Sequence, residues 1–303
     1  MSGETHVVEV AERVFAHVQA DGGWFVNNTG FMVGRSGVVS VDTCATADRT
    51  AAYLRAIADI TDRPVRTLVN THHHGDHTYG NYLLPGATIV GHEGVRDALL
   101  AWGRPPVPAY WEPVDWGHVE LAPPFVTYES ELRIYVDEIR CDVRYVGRPA
   151  HTVADSIVWL PEERVLFAGD LLFNGVTPLM SHGSVSGALA VLDDLEALEP
   201  AVVVPGHGPV GGASMIDDVR SYLRFVQDLA VQGREAALTP LETARTCDLG
   251  PYAAWLDAER LVGNLHRAFA EIDGLEPGAR IDLGAAFEDM VALNGGRPLT
   301  CRA

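Results

Sequence analysis

Hydrophobic positions along the first hundred residues alternate between short runs of period two and longer runs at helical spacing. Turn-forming residues separate these runs, as at Arg35-Ser36. In chain order the pattern predicts loosely alternating strands over 5–18, a hairpin of 29–34 and 37–42, a helix over 46–61, strands at 65–70 and 87–91, and a helix over 92–102. The strand at 65–70 is apolar enough to be buried.

Residues 103–125 break this rhythm, because they are rich in proline and aromatic residues, and we interpret them as a long irregular insertion. Beyond it the pattern predicts strands at 132–136, 139–146, 156–160 and 164–168, a helix near 185–198, a strand at 201–204, and mostly helices over 213–290. Strands and helices thus come in two successive halves. That order predicts an α/β fold of two sheets packed between helices, not one doubly wound sheet.

The net charge of the chain argues against two classes of binding partner. The 41 acidic residues outnumber the 22 basic ones, giving a net charge of −19. Proteins that bind nucleic acid or anionic membranes need lysine and arginine, so we expect neither partner. With no apolar run of about 20 residues and no leader-like N-terminus, we expect a soluble cytoplasmic protein. The cysteines, Cys44, Cys141, Cys247 and Cys301, form no CxxC pair and are expected to be free thiols.

Four features with metal-ligating side chains stand at the ends of predicted strands. They are HHHGDH at 72–77, His151 in GRPAHTVAD, Asp170 in FAGD, and His207 in PGHG. Loops at strand ends are where a rigid scaffold presents side chains to one point. A run of histidines could instead be a loose surface metal trap. That alternative does not explain the single downstream histidines, each in a Gly/Pro-containing turn after an apolar strand.

The spacing within 72–77 suggests how two metal ions would share these ligands. Residues two apart in an extended segment point the same way, so His72 and His74 can reach one ion while His73 points away. Gly75 permits a sharp turn. We assign His72, His74 and His151 to the first ion, Asp76, His77 and His207 to the second, and Asp170 to both. Nitrogen and oxygen ligands favour two Zn²⁺, and iron or manganese stays open.

This ligand set, in this order, resembles that of the metallo-β-lactamase superfamily over about residues 7–215. Asp42 in VSVDT matches the family's first, mainly structural motif. The resemblance implies an αββα sandwich with the metal site at one edge of its two sheets. The catalytic domain would then be 1–212, with the insertion 103–125, and 213–303 would be a helical C-terminal extension packed on it. In having an aspartate at position 170, the chain resembles the hydrolases and thioesterases of the superfamily.

A finer resemblance points to the substrate. WEPVDWGHVELAPPFVTY, PGHGPVGG and LVGNLHRAFAE resemble segments of the cyclase/thioesterases of bacterial aromatic polyketide pathways. This implies an acyl chain carried on an acyl carrier protein, cleaved with or without aldol cyclisation. A lactonase or other small-molecule ester hydrolase, and an iron-dependent redox protein, are the alternatives. The helical extension would cover the core or join two chains in a homo-oligomer.

The expected chemistry is attack on an acyl carbonyl by a hydroxide shared between two zinc ions, because zinc lowers the pKa of bound water to about 7. Asp76 would ligate, orient and accept a proton. A non-catalytic, structural zinc site is the competing hypothesis, but such sites are usually closed by four protein ligands. A metal-dependent nuclease is disfavoured by the net charge of −19.

Further residues are expected around the ions. Asp42 and Asp155 are candidates for fixing ligand imidazoles, with simple loop capping as the alternative. We interpret the loop with Asn27 and Asn28 as a flap. The pocket for a flat apolar substrate is predicted to include Trp24, Phe25, Trp111, Trp116, Phe173, Met180 and His182, unless these side chains are core or oligomer contacts.

Overall fold

Seven strands form the first of two sheets in the computed structural model, which describes residues 5–19, 21–102 and 110–303. They are β1 (His6–Ala11), β2 (Val14–Val18), β3 (Thr29–Val33), β4 (Val38–Val41), β5 (Val65–Asn70), β6 (Thr88–His92) and β7 (Val126–Tyr128), in that spatial order. Strands β1 to β4 pair antiparallel, and β4 to β7 pair parallel. The sheet is therefore mixed.

Five strands form the second sheet. They are β8 (Glu131–Val136), β9 (Ile139–Tyr145), β10 (Ser156–Leu160), β11 (Val165–Phe173) and β12 (Val202–His207), in the spatial order β12-β11-β10-β9-β8. Only the pair β11 and β12 is parallel, because a helical crossover joins these two strands. The other neighbours pair antiparallel.

Eight α-helices are described outside the sheets. They are α1 (Ala47–Ile60), α2 (Gly75–Thr78), α3 (Glu93–Trp102), α4 (Val185–Glu196), α5 (Ser214–Glu235), α6 (Pro240–Thr246), α7 (Arg260–Ile272) and α8 (Leu283–Leu293). Side-chain caps begin several of them: the hydroxyl of Thr46 accepts a hydrogen bond from the backbone of Arg49 at the start of α1. No helix within the described ranges is both long and apolar enough to cross a membrane.

The two sheets pack face to face through a shared apolar layer. Met32 and Val69 of the first sheet belong to the same buried cluster as Val158 and Phe167 of the second. The sheets approach closely at Gly30, where an added Cβ atom would lie 2.1 Å from the Phe167 ring. Only glycine fits there without displacing the ring.

Helices cover the outer faces of both sheets. Tyr53 and Ile57 of α1 pack on Phe31 of the first sheet. On the second sheet, Leu166 and Val203 share a larger buried cluster with residues of α4, α5, α7 and α8. The predicted arrangement of two mixed sheets between helices is confirmed, and the segment after residue 212 contributes to the same core.

Several predicted boundaries move in the structure. Strand β11 continues to Phe173, so Asp170 lies within a strand and not after it. Gly75, predicted to permit a sharp turn, begins the one-turn helix α2, and an added Cβ atom there would lie 2.1 Å from the Tyr79 ring. Of the predicted insertion, 103–109 lie outside the described residues. Over 110–125 the chain is irregular, with one bridge from Trp111 to Leu299. All four cysteines are free.

Candidate metal centre

The predicted ligands meet at one edge of the sandwich. His72 and His74 lie between the end of β5 and α2, and Asp76 and His77 lie within α2. The other three come from the second sheet: His151 after β9, Asp170 in β11 and His207 at the end of β12. Strands of both sheets end at this edge, so short-range sequence motifs become neighbours in space. All of these side chains except the half-buried His74 are buried.

The ligand atoms form two adjacent groups. One group contains His72, His74, His151 and Asp170, the other contains Asp76, His77 and His207, and the ligand atoms within each group lie within 4.8 Å of one another. Asp170 contacts both: its Oδ2 lies 3.3 Å from Nε2 of His151 and 3.3 Å from Nε2 of His207, and its Oδ1 lies 3.0 Å from Nε2 of His77. Its place between the groups is the one expected of a shared ligand.

Hydrogen bonds outside the centre fix which ring nitrogen faces inward. Nδ1 of His151 donates to the carbonyl oxygen of Leu179 at 2.6 Å, and Nδ1 of His207 donates to that of Gly22 at 2.9 Å. A carbonyl can only accept, so these Nδ1 atoms carry the protons. In the neutral rings, Nε2 therefore presents a lone pair to the centre.

The centre leaves buried polar atoms without partners. Nε2 of His72, Nε2 of His77 and Oδ1 of Asp170 are buried and make no hydrogen bond of acceptable geometry. Unpaired buried polar atoms are costly, and a shared cation would satisfy several of them at once. The donor set of imidazole nitrogens and carboxylate oxygens is one that zinc prefers. The residues therefore fit divalent metal ions held at this point.

Burial and neighbouring charges shift the pKa values of these groups in opposite directions. Burial holds the pKa of His72 and His74 well below the usual histidine value, so both are neutral, as ligands must be. Burial also opposes charge on His207, but the carboxylates of Asp170 and Asp76 outweigh it and raise its pKa to about 9. Burial likewise opposes charge on His77, but Asp170, Asp42 and Asp76 outweigh it and raise its pKa well above the usual histidine value. Without metal, protons on His77 and His207 therefore supply the positive charge that a cation would otherwise bring.

Gly206 leaves the space that the Asp170 carboxylate occupies, because it has no side chain. An added Cβ atom there would lie 1.9 Å from Oδ1 of Asp170 and 2.8 Å from the carbonyl carbon of Gly169. A larger residue would push the shared carboxylate out of the centre. The PGHG segment thus contributes space as well as the His207 ligand.

The two predicted supporting carboxylates have different surroundings. Asp42 accepts hydrogen bonds from the backbone and hydroxyl of Thr71, and its Oδ2 lies 2.8 Å from Nδ1 of His77. Asp155 accepts bonds from the backbone and hydroxyl of Thr152, both at 2.7 Å. Asp42 thus touches a ligand directly, whereas Asp155 caps the loop that carries His151.

A cavity of about 250 Å³ opens onto the ligands. Five of the predicted pocket residues line it: Trp24, Phe25, Trp111, Phe173 and His182. The structure places Met180 in the core, fully buried, and its neighbour Leu179 in the lining. Trp116 packs behind the wall, with its ring centroid 5.0 Å from that of Phe25.

The predicted flap is anchored to the metal centre. Asn28 donates from its side chain to the carbonyl oxygens of Pro205 and Gly208, on either side of His207. Asn27 donates to the carbonyl oxygen of Thr43. Both asparagines are buried, so they fix the backbone of this loop and do not meet a substrate.

Several lining residues were not predicted from the sequence, namely His73, Tyr79, Leu179, Arg260 and Phe287. His73 does not point away from the site. Arg260 and Phe287 come from α7 and α8, more than 50 residues beyond the last ligand. The guanidinium of Arg260 lies 4.1 Å from the Trp24 ring centroid and pairs with Asp257 at 2.8 Å. The sequence signal that could have found Arg260 is a polar residue on the otherwise apolar face of a predicted helix.

Known proteins share both the sequence pattern and the fold of this chain. The family model of the metallo-beta-lactamase superfamily matches residues 22–207. A linear primary-alkylsulfatase of a Pseudomonas species is 23% identical over 263 residues, covering 72% of this chain and 49% of the alkylsulfatase. The metallo-beta-lactamase type 2 of Bacteroides fragilis is 24% identical over 230 residues, covering 73% of this chain and 86% of that protein.

A third relative and a solved structure are also similar to this chain. The hydroxyacylglutathione hydrolase of Rhodospirillum rubrum is 28% identical over 165 residues, 53% of this chain and 55% of that enzyme. The chain thus spans only about half the length of the alkylsulfatase and of this hydrolase. A metallo-beta-lactamase from Pontibacter korlensis superposes with a TM-score of 0.61 at 20% identity, covering 73% of this chain and 99% of that one. At that identity the match speaks for the fold alone.

Proposed function

This chain belongs to the metallo-β-lactamase superfamily, and from that premise we propose that it is a zinc-dependent hydrolase that cleaves an acyl thioester. The observation that carries the proposal is the joint position of the ligands and the cavity. Asp76, His151, Asp170 and His207 all line the same cavity as the aromatic side chains. A metal site that only stabilised the fold would have no need of an open apolar pocket.

Seven side chains would hold two zinc ions: His72, His74, His151 and Asp170 in one group, and Asp76, His77 and His207 in the other, with Asp170 facing both. Bound zinc would polarise a carbonyl and lower the pKa of water to about 7. Iron or manganese would satisfy the same ligand types.

The chain's own residues would handle the proton and keep water away from the acyl group. Asp76 reaches the cavity, and its Oδ2 lies 3.3 Å from Nε2 of His207, which places a carboxylate where a proton must be received or passed on. The aromatic walls exclude water from an acyl group. Phe173 stacks on the His207 ring at 5.3 Å, so the wall and a ligand support each other.

The lining favours a flat, apolar acyl group. Trp24, Phe25, Trp111 and Phe287 contribute rings to one wall, and a cavity of about 250 Å³ has room for a ring or a short chain beside the ligands. We propose an aromatic polyketide intermediate on an acyl carrier protein as this group, with aldol cyclisation as a coupled step. The hydroxyacylglutathione hydrolase relative is named for a thioester substrate, which supports the bond class.

A sulfate ester is the second candidate. The Pseudomonas relative is named a linear primary-alkylsulfatase, and the buried cation of Arg260 lines the same apolar cavity. Arginine binds oxyanions such as sulfate through paired donors. The pairing of Arg260 with Asp257 weighs against this candidate, because it neutralises the charge that a sulfate would need.

A substrate screen on the zinc-loaded protein tests the proposal. The panel contains aryl and alkyl acyl thioesters, lactones, a β-lactam and an alkyl sulfate of equal chain length. We expect the highest kcat/KM on aryl thioesters, and loss of turnover after chelation with recovery on adding zinc. Turnover of only the β-lactam, only lactones or only the alkyl sulfate would replace the thioester assignment. Recovery by iron alone, with redox activity, would overturn the hydrolase.

A further inference from the structure

Helix α7 carries a stripe of buried polar residues. Arg260, Asn264 and Arg267 follow one another at spacings of four and three, which places them on one face of the helix. Their exposed fractions are 3%, 0% and 1%. Charged and amide side chains are rarely buried this fully unless each has a specific task.

All three side chains bind the backbone of one segment, the loop 177–182 between β11 and α4. Arg260 donates to the carbonyl oxygen of Thr177 at 3.0 Å, and Arg267 donates to that of Ser181 at 3.1 Å. Asn264 binds the loop between these two points. The stripe therefore runs along the loop and holds it at successive residues.

Asn264 brackets a single residue of the loop. Its amide nitrogen donates to the carbonyl oxygen of Pro178 at 2.8 Å, and its Oδ1 accepts from the backbone of Met180 at 2.7 Å. The residue between them is Leu179, whose carbonyl oxygen accepts the proton of His151 Nδ1 at 2.6 Å. The position of that carbonyl is thus set from both sides by one side chain.

The same loop supplies other walls of the centre. Leu179 and His182 line the cavity, and the His182 ring centroid lies 4.8 Å from that of the ligand His74. A shift of the loop would therefore move a hydrogen-bond acceptor of one ligand and the packing neighbour of another. Partners beyond the ligands commonly change metal affinity by about 10–100-fold when lost.

We propose that Asn264, flanked by Arg260 and Arg267, is a positioning residue for the metal centre: it holds the Leu179 carbonyl that orients His151. The inference rests on the proposed function, because it presumes zinc at the centre. It assigns a task to α7, which lies beyond the 22–207 match to the family model. It also predicts that the effect is confined to the ion held by His72, His74 and His151.

Zinc affinity separates positioning from a merely structural role. In competition with a chromophoric chelator, we expect Asn264→Ala to weaken one of two zinc ions about 10-fold and to leave the other unchanged. The visible spectrum of the Co²⁺-substituted protein should change for the same ion. The matched control is Tyr222→Phe, which removes the third partner of Asn264, a hydroxyl 3.1 Å from its nitrogen, without touching the loop. Its zinc affinity should equal that of the wild type.

A second variant keeps the test open if Asn264→Ala does not fold. Arg267→Met removes the bond to Ser181 at the far end of the loop and should weaken the same ion by a smaller factor. If folded variants bind both ions with wild-type affinity and an unchanged Co²⁺ spectrum, α7 only satisfies the loop backbone and the inference is wrong. Wild-type protein that binds two zinc ions would still support the proposed function. Wild-type protein that binds none would end both.

Discussion

Asp42 and His77 are joined by a 2.8 Å contact between Oδ2 and Nδ1, inside a region where both side chains are almost fully buried. The same carboxylate accepts from the backbone and the hydroxyl of Thr71, so it ties the end of β4 to the residue before the ligand run. Asp42 itself has a left-handed backbone, with φ of 59°. An aspartate tolerates that conformation better than most residues. The pair therefore links backbone geometry to the orientation of a ligand.

Replacing this carboxylate by an amide should damage the centre without changing its shape. The amide nitrogen of Asp42→Asn would face either the Nδ1 proton of His77 or the backbone N–H of Thr71, and a donor cannot accept either of these protons. We expect about 10–100-fold weaker zinc binding and a free energy of unfolding lower by about 1–3 kcal/mol. Chelator competition and urea unfolding measure the two effects.

The control for that variant is Asp62→Asn, at a side chain that is 93% exposed. It should behave as the wild type in both measurements. If Asp42→Asn binds zinc as tightly as Asp62→Asn, the contact with His77 has no influence on the centre.

Asp76 is expected to be necessary for turnover and dispensable for folding. Its side chain reaches the cavity from the one-turn helix α2. Asp76→Ala should lower kcat by about 10²–10⁴-fold, as loss of a general acid or base does, and should leave the far-UV circular dichroism unchanged. Metal analysis should find zinc retained by the group of His72, His74, His151 and Asp170. Near-normal turnover by a folded Asp76→Ala variant would contradict the mechanism.

The raised pKa of His207 predicts a pH dependence of zinc binding. Burial opposes protonation, but Asp170 and Asp76 raise the pKa to about 9, so the imidazole is protonated at pH 7 in metal-free protein. Zinc must displace that proton. Burial also opposes protonation of His77, but Asp170, Asp42 and Asp76 raise the pKa of this ring well above the usual histidine value, so zinc must displace a second proton. We expect log affinity to rise by more than about one unit per pH unit up to about pH 9 and less steeply above it. Proton release on binding, measured by calorimetry in buffers of different ionisation enthalpy, checks the count.

The raised pKa of His207 also predicts that metal-free protein becomes less stable as pH rises, whereas its zinc affinity increases. A histidine whose pKa is higher in the folded state stabilises the fold fully below its unfolded pKa of about 6.5, and this contribution is lost as pH rises through 9. The free energy of unfolding after chelation should fall between these values. The pKa of His77 is raised as well, so that ring adds a slope of the same sign. His207→Gln should therefore reduce the slope without abolishing it, and an unchanged slope would show that His207 does not contribute.

Phe287 of α8 is expected to limit the size of the acyl group. It lines the cavity, and its ring centroid lies 4.9 Å from that of Trp111. Phe287→Ala should cost about 3 kcal/mol of stability and shift the kcat/KM ratio towards longer acyl chains about 10-fold. The control is Phe225→Ala on α5, a partly buried residue that packs on Tyr252 outside the cavity lining. Equal chain-length profiles for the two variants would show that Phe287 sets no limit.

The candidate ligands could be singled out from the sequence because metal-ligating residues leave a local signature. Histidine and aspartate stand beside Gly and Pro at the ends of apolar strands, and strand ends of packed sheets share one edge. Which side chains point into the cavity could not be predicted so well. Met180 and Leu179 are adjacent, and one step along the loop decides which side chain enters the cavity.

Long-range contacts explain what the sequence did not reveal about the C-terminal half. Arg260, Asn264 and Arg267 reach backbone atoms that lie 83 to 86 residues away in the chain. Helical periodicity predicts the helices of 213–290 but not their partners. A buried polar stripe on an otherwise apolar helix is informative only once the loop it binds is known. The division into 1–212 and 213–303 also stays a prediction, which a truncation can test.

A chain that ends at Gly212 should not form a stable folded protein. Val219, Tyr222 and Leu223 of α5 are each no more than 1% exposed and share the core cluster with Leu166 and Val203 of the second sheet. Removing 213–303 would expose that sheet face to water at about 25 cal/mol per Å² of apolar area, and would release the loop that α7 holds. We expect the 1–212 fragment to be aggregated or to lack cooperative unfolding, and to bind zinc weakly, as shown by size-exclusion chromatography, thermal unfolding and metal analysis. A soluble, cooperatively unfolding fragment with two tightly bound zinc ions would instead establish 1–212 as an independent domain and would contradict the positioning role of α7.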